Sequence, residues 1–178
     1  MIGYLLNIGG ILVMGVGALL VFASMKPDVF RVKRSTTIAA TPARVFSFIE
    51  DFHAFNLWNP FAMKDPAQKI AYAGPDKGPG ASFSWDSRKQ GSGRMEIVET
   101  SAPARVAMRL EFTRPFPARN AVEFTIDASG PDSAVTWSMN GPVPFIAKIF
   151  HVFVNVDKMV GRDFEKGLAN LKALAEKT

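Results

Sequence analysis

The C-terminal stretch, residues 143–178, constrains the fold of this chain more than any other segment. After Pro144 it contains no proline, and its apolar side chains recur every three or four residues. They are Ile146, Ile149, Phe150, Phe153, Val156, Val160, Phe164, Leu168, Leu171 and Leu174. This spacing predicts one amphipathic helix, roughly 45–50 Å long at 1.5 Å per residue. A helix with so wide an apolar face needs a large apolar surface to pack against.

The middle of the chain supplies that surface, because apolar and polar residues alternate there. In the clearest run, Val106, Met108, Leu110 and Phe112 alternate with Arg105, Arg109 and Glu111. Similar runs lie at 81–86, 94–97, 122–127 and 135–139, and glycine or proline separates most of them. The pattern predicts an antiparallel meander with one polar and one apolar face.

The segment before this meander is predicted to contain a strand, a helix and a loop. Phe30 and Val32 alternate with Arg31 and Lys33, as in a strand. Thr41 and Pro42 suit the N-cap and first position of a helix, which we expect to end near residue 51. Asparagine and proline then interrupt an aromatic stretch around residue 58, where we expect an irregular loop.

The first twenty-five residues form a separate apolar segment. Residues 2–25 contain no charged side chain, and as a helix they would span roughly 36 Å, more than the ~30 Å hydrocarbon core of a bilayer. The alternative is a cleavable signal peptide, for which residues 21–23 could serve as the cleavage site, but such a peptide would begin with basic residues and have a shorter apolar core. We therefore predict a transmembrane anchor in residues 1–25 and one folded domain in residues 26–178.

The charges next to this anchor predict its orientation. Four cations follow it closely, against one acidic residue: Lys26, Arg31, Lys33 and Arg34. The positive-inside rule then favours a cytoplasmic location for the folded domain, and the same cations could contact anionic lipid. Small residues also recur every seven positions, which suggests a weak homodimer through the anchor: Gly3, Gly10, Gly17 and Ser24.

Composition excludes several kinds of site. The chain has no cysteine, which excludes disulfides and thiolate chemistry, and its net charge of +5 is too dispersed for a nucleic-acid surface. His53 and His151 are the only histidines and lie far apart, so we expect no metal and no cofactor. Asp157 and Glu165 could act as a general acid and base, but surface ion pairs with lysines of the same helix explain them more simply.

Several phrases of the sequence are similar to a known superfamily. They lie at residues 38–46, 58–60, 72–75, 78–81 and 157–172. With the order of elements, they resemble the polyketide cyclase/dehydrase-like branch of the START/Bet v 1 (SRPBCC) superfamily over about residues 29–176. The resemblance implies an α+β helix-grip fold, a curved antiparallel sheet around a long C-terminal helix, and hydrophobic-ligand binding. No cyclase motif can be matched to this chain, so the catalytic residues stay unknown.

A curved sheet around a straight helix leaves an interior space, and the bulky residues facing it are the candidate ligand site. The sheet members are Phe83, Trp85, Met95, Met108, Leu110, Phe112, Trp137 and Met139. The helix members are Phe150, Phe153 and Met159, with Trp58 as the candidate residue at the pocket mouth. For any one of these residues core packing is the more common explanation, and Trp58 could simply anchor its loop; it is the whole set that argues for a cavity.

Three functions follow from these features. The first is a membrane-anchored protein that binds a hydrophobic small molecule, such as a lipid or quinone-like compound. The second is a cyclase- or dehydrase-type enzyme acting on a hydrophobic polyketide-like substrate, which needs a polar cluster inside the cavity. The third is an interaction module with a packed interior. The anchor beside a pocket-forming fold favours the first.

Overall fold

The computed structural model describes residues 14–177, which form one antiparallel sheet and five helices beyond residue 28. The strands are β1 (Val29–Ile38), β2 (Lys69–Ala73), β3 (Ser82–Ser87), β4 (Gly91–Ser101), β5 (Arg105–Arg114), β6 (Ala118–Ser129) and β7 (Asp132–Pro142). The helices are α1 (Pro42–Ser47), α2 (Phe52–Asn56), α3 (Pro60–Lys64), α4 (Phe145–Phe153) and α5 (Val156–Ala175). The strand order β1-β7-β6-β5-β4-β3-β2, with α5 packed along β1, confirms the predicted α+β helix-grip architecture.

The sheet buries one face, as its alternating sequence predicts. On β5, Val106, Met108 and Leu110 are buried while Arg109 is exposed, and β6 and β7 repeat this pattern. The helix α5 covers the buried face with Phe164, Leu168 and Leu171. At the centre of this contact, the ring of Phe164 stacks on Trp137 of β7 with 3.9 Å between centroids.

Two glycines let α5 lie close to its neighbours. A Cβ atom at Gly167 would come within 2.7 Å of Trp137 Cζ3 and 2.9 Å of Pro60 Cδ. A Cβ atom at Gly161 would collide with the guanidinium group of Arg34. Both glycines interrupt the apolar stripe in the sequence, and the structure shows that they face the domain.

The prediction of one long C-terminal helix is wrong, because the chain breaks into α4 and α5. Val154 is extended, and the Asn155 side chain accepts a hydrogen bond from the backbone N–H of Lys158, 2.9 Å away, as the N-cap of α5. An asparagine in this position satisfies a free N–H group at the start of a helix and so favours a new helix there. The break changes which face of the preceding helix meets the domain.

The stripe of α4 therefore points outward rather than into the domain. Ile146 is 81% exposed, Phe153 is 74% exposed, and Phe150 is also exposed. Met159, in the first turn of α5, is exposed as well. The prediction that Phe150, Phe153 and Met159 face the interior is wrong.

The region predicted as one helix and an irregular loop contains three short helices. Thr41 caps α1 as predicted, but α1 ends at Ser47 rather than near residue 51. Asp51 caps α2 by accepting a hydrogen bond from the His53 N–H at 2.7 Å, and Asn59 caps α3. Asp51 and Asn59 therefore each start a helix in a region where an irregular loop was expected.

The described part of the N-terminal segment, residues 14–24, is helical. Within residues 14–177, no helix combines the length and the apolar composition needed to cross a membrane. Residues 1–13 of the predicted anchor lie outside the described residues, and with them Gly3 and Gly10 of the predicted dimer contact. The anchor and the dimer remain predictions.

Arg34 of β1 joins the sheet to α5 through a cluster of hydrogen bonds. Its Nε donates to Glu165 Oε1 at 2.7 Å, and its Nη1 donates to Asp157 Oδ1 at 3.0 Å. Its Nη2 also donates to the backbone carbonyl oxygen of Asp157 at 3.0 Å. Asp157 and Glu165 are thus in ion pairs, as expected, but their partner is Arg34 and not a lysine of the same helix.

We expect Gly167→Ala to lower the free energy of unfolding by about 1–2 kcal/mol, because overpacking against Trp137 and Pro60 outweighs the gain in helix propensity. Urea denaturation followed by circular dichroism measures this. The control is Ala169→Gly at an exposed position of α5, which should cost about 1 kcal/mol through propensity alone. An increase in stability for Gly167→Ala would contradict the close packing.

We expect Arg34→Met to destabilise the domain at neutral pH and to lose this effect in acid. The hydrogen bonds from Arg34 hold the pKa of the Asp157 carboxyl below its ordinary value. Such a group stabilises the fold above the unfolded-state pKa, and this contribution is lost as pH falls through the folded-state pKa. The stability gap between wild type and variant, measured by urea denaturation, should narrow below about pH 4.

The control for this pH dependence is Arg119→Met, because Arg119 is largely exposed and its pair with Glu111 should contribute little. If the difference in unfolding free energy between wild type and Arg34→Met stays constant from neutral to acidic pH, the ion pairs do not stabilise the fold.

Candidate ligand-binding cavity

An apolar cavity of about 220 Å³ lies between the sheet, α3 and the first half of α5. Strand residues in its wall are Phe30, Phe83, Trp85, Met95, Leu110, Phe112, Val122, Trp137 and Met139. The remaining wall residues are Phe55, Asn59, Phe61, Ala62, Gln68, Gln90, Val156, Val160 and Phe164. Most of these side chains are aromatic or aliphatic, and two carry a thioether.

The strand side of the wall contains most of the residues that the alternation predicts. They are Phe83, Trp85, Met95, Leu110, Phe112, Trp137 and Met139. Met108 is buried in the core but does not line the cavity. Period-two alternation identifies the buried face of a strand, but not which part of that face borders a space.

The helix side of the wall differs from the prediction. Val156, Val160 and Phe164, four residues apart, face the cavity from α5, whereas Phe150, Phe153 and Met159 do not line it. A sequence signal for the correct set exists, since a helix that starts after Asn155 places these three residues on one face.

Trp58 does not lie at a pocket mouth, because it is fully buried. Its Nε1–H donates to the carbonyl oxygen of Phe48 at 2.9 Å, and its ring packs edge-on against Phe55. Its own carbonyl oxygen accepts a hydrogen bond from Asn170 of α5. Trp58 therefore anchors α2 and α3 to the core, which was the competing interpretation from the sequence.

Sequence reasoning missed the amide side chains in the wall. The Oδ1 of Asn59 accepts a hydrogen bond from the Phe61 N–H at 3.1 Å, and the Nε2 of Gln68 donates to the Ala62 carbonyl oxygen at 3.1 Å. With Gln90 they are the polar residues of the wall, and no ionisable side chain of the described residues joins them. They lie outside the strands, where periodicity gives no signal.

Trp137 is a buried wall residue whose polar atom lacks a hydrogen-bond partner in the described part of the chain. Its side chain is only 2% exposed, and its indole nitrogen has no hydrogen-bond partner. Among the side-chain atoms that the structure describes, this nitrogen is the one buried polar atom left without a partner. A buried donor without a partner costs about 1–3 kcal/mol, so an acceptor placed near it would be stabilising.

An open groove adjoins the cavity at the end of the sheet where β7 leads into α4. It has a volume of about 770 Å³ and lies between the β5–β6 connection and the start of α4. Phe30 and Phe112 belong to both spaces and separate the groove from the cavity. These two rings are therefore the barrier that a molecule passing from the groove to the cavity would meet.

The two histidines lie away from the cavity wall. His53 stacks on Tyr72 at 3.9 Å between ring centroids, on the outside of α2. His151 lines the open groove, where burial and the nearby charge of Lys26 lower its pKa. Within residues 14–177, no three side chains of the kinds that bind metal ions converge.

The comparison with solved structures gives matches at the level of the fold. A protein from Mesorhizobium loti has a TM-score of 0.62 at 14% identity, covering 84% of this chain and 98% of its own. A protein from Chromobacterium violaceum has a TM-score of 0.59 at 15% identity, covering 86% and 100%. The Aha1 protein from Colwellia psychrerythraea, solved as a dimer, has a TM-score of 0.58 at 10% identity, covering 83% and 96%. Such low identities indicate a shared fold alone.

The comparison with curated proteins gives no match. The family described as polyketide cyclase/dehydrase and lipid transport matches residues 29–176, the same range over which the sequence resembles the superfamily. This range contains every strand and helix that forms the cavity, and the chain therefore belongs to the polyketide cyclase/dehydrase and lipid transport family.

Proposed function

We propose that this protein binds an apolar small molecule in the cavity between the sheet and α5. The observation that carries the proposal is an interior space of about 220 Å³ whose wall is mostly aromatic, aliphatic and thioether. An apolar protein cavity of about 150 Å³ stays dry and binds benzene. The larger space here suits a ligand of about two fused rings, or the inner end of a longer molecule that passes between Phe30 and Phe112.

The ligand we propose carries one hydrogen-bond acceptor, such as a carbonyl oxygen. Trp137 supports this, because it lines the cavity and its buried indole N–H has no partner among the described residues. An acceptor on the ligand would satisfy this donor once the side chains that cover the nitrogen move aside, and a saturated hydrocarbon would not. A quinone-like compound or an aromatic ketone combines the apolar body with this single polar atom.

The composition of the wall favours binding over catalysis. A cyclase or dehydrase needs side chains that transfer protons at the substrate, most often histidine or a carboxylate. The wall contributes three amides, and two of them, Asn59 and Gln68, already hydrogen bond to the protein. Acid–base chemistry would require an ionisable group that the described part of the wall does not contain.

We also propose that residues 1–25 anchor the domain to a membrane, with the domain in the cytoplasm. The support is the uncharged run at 2–25 and the cations that follow it. Within the described part of this run, Met14, Phe22 and Met25 expose most of their apolar side chains, which is unfavourable in water. A ligand with low water solubility would then travel only a short distance between bilayer and cavity.

We expect native mass spectrometry of the gently extracted full chain to show an apolar molecule bound to the wild type, and Val160→Phe to abolish it. Val160 lines the cavity from α5, so the larger ring would occupy the space of the ligand. Ala62→Phe should have the same effect from α3, and it serves as an independent variant if the first is unstable.

The matched control is Val98→Phe, which adds the same side chain at an exposed position of β4 outside the cavity. This variant should retain the bound molecule. A wild type that is consistently empty, or equal loss in the control, would contradict ligand binding in the cavity.

We expect Trp137→Phe to remove a preference for carbonyl-containing ligands. Tetralin and 1-tetralone are a suitable pair, since they have the same bicyclic frame and differ by one carbonyl oxygen. A hydrogen bond worth about 1 kcal/mol corresponds to a roughly fivefold change in affinity. The dissociation constant for 1-tetralone divided by that for tetralin, both measured by calorimetry, should therefore rise about fivefold in the variant.

The control for this experiment is Trp85→Phe, because Trp85 also lines the cavity and carries an indole N–H. It should leave the ratio of dissociation constants unchanged. A shift in Trp85→Phe and none in Trp137→Phe would overturn the assignment of the donor.

A further inference from the structure

The helix α4 buries a charged side chain and exposes its apolar ones, which is the reverse of an ordinary surface helix. Its buried side chain is a lysine, Lys148, which is 8% exposed. The Nζ of Lys148 forms an ion pair with Asp28 Oδ1 at 2.6 Å. The opposite face presents Ile146, Phe150 and Phe153 to the surroundings. A surface helix normally buries its apolar stripe, so this outward stripe indicates a binding surface.

A second apolar side chain extends this surface across the open groove. Phe116, in the β5–β6 connection, is 80% exposed. It lines one side of the groove, and Ala147 and His151 of α4 line the other. The outward stripe of α4 and Phe116 therefore occur together at one end of the domain, and we call them the α4 surface.

The α4 surface is fixed next to the point where the N-terminal segment enters the domain. The backbone N–H of Val143 donates to the Asp28 carbonyl oxygen at 2.7 Å, and Lys148 binds the carboxylate of the same residue. The uncharged run ends at Met25, three residues before Asp28. A membrane that holds this run would be close to α4.

Cations flank the α4 surface. Lys26 lies near His151 of α4, and Arg119 in the wall of the groove is largely exposed, although it also pairs with Glu111 at 3.0 Å. Exposed aromatic and aliphatic side chains beside cations match the chemistry of an anionic bilayer, whose head groups attract the charges while the apolar groups enter below them. A second protein copy would need no such charge.

We infer that the α4 surface docks onto an anionic membrane and turns the mouth of the groove towards the lipid. The inference rests on the proposed membrane anchor and adds a second contact that orients the domain. In this orientation, Phe30 and Phe112 lie between the bilayer side and the cavity, so that a molecule leaving the lipid enters the groove without crossing bulk water.

Site-specific labelling tests this inference, and the absence of cysteine from the chain makes single labels unambiguous. Phe116→Cys and Phe150→Cys, each labelled with the fluorophore NBD, report on the α4 surface. Ser129→Cys is the control, because it lies at the β6–β7 turn, at the opposite end of β7 from α4. Each full chain is reconstituted into vesicles of phosphatidylcholine and phosphatidylserine containing a spin-labelled lipid quencher.

We expect blue-shifted emission and strong quenching at positions 116 and 150 and neither at position 129. Quenching should weaken in vesicles of phosphatidylcholine alone, since the cations beside the α4 surface, Lys26 above all, lose their anionic lipid partners. In the Phe116→Cys protein, Ile146→Asp with Phe153→Asp should reduce the quenching to the level at position 129. The anchor is intact in this variant, so its flotation with vesicles should not change.

The other outcomes overturn the inference in distinguishable ways. If the chain floats with vesicles while labels 116 and 150 stay as exposed as label 129, the anchor is supported and the docked surface is contradicted. If the chain does not float, both are contradicted. Labels that become protected without lipid, and more so at higher protein concentration, would identify a second copy as the partner. Ligand binding is measured separately by the calorimetry above and is not affected by these results.

Discussion

The stacking of Phe164 on Trp137 is the contact on which the rest of the domain depends. It joins α5 to the centre of β7 with 3.9 Å between ring centroids, an arrangement that Gly167 makes accessible by removing a Cβ atom from the path of the indole. Aromatic pairs of this kind stabilise beyond the area they bury. Because the stack fixes how close the helix comes to the sheet, it also sets the width of the space beside it.

The same packing explains why the indole nitrogen of Trp137 has no partner among the described residues. The indole ring packs its faces and edges against other aromatic rings, including Phe124 at 5.0 Å and Trp58 at 5.7 Å. Neither neighbour offers an oxygen to the indole nitrogen. Packing therefore determines the position of Trp137 and leaves its N–H without a partner in the described part of the chain. Under the proposed function, a side chain that packs α5 against the sheet would also distinguish one ligand from another.

The sequence predicted the sheet well and the helix boundaries poorly, for a physical reason. A strand with one buried face leaves a period of two in the sequence. This period identified Met95, Leu110 and Met139 as inward-facing, although each lies on a different strand. Apolar spacing on a helix carries no such mark of a break: Phe150, Phe153, Val156 and Val160 keep gaps of three and four across residues 154 and 155. Only the capping tendency of Asn155 signals that two helices are present.

That break has consequences for function as well as for prediction. The continuous helix that the sequence suggested was expected to place Phe150 and Phe153 in the interior. With the break, α5 supplies Val156 and Val160 to the cavity wall while α4 turns its apolar stripe outward. From the C-terminal segment, the interior therefore receives the short side chains of Val156 and Val160 but neither phenylalanine ring. The rings of Phe150 and Phe153 instead form the surface through which we infer the ligand arrives.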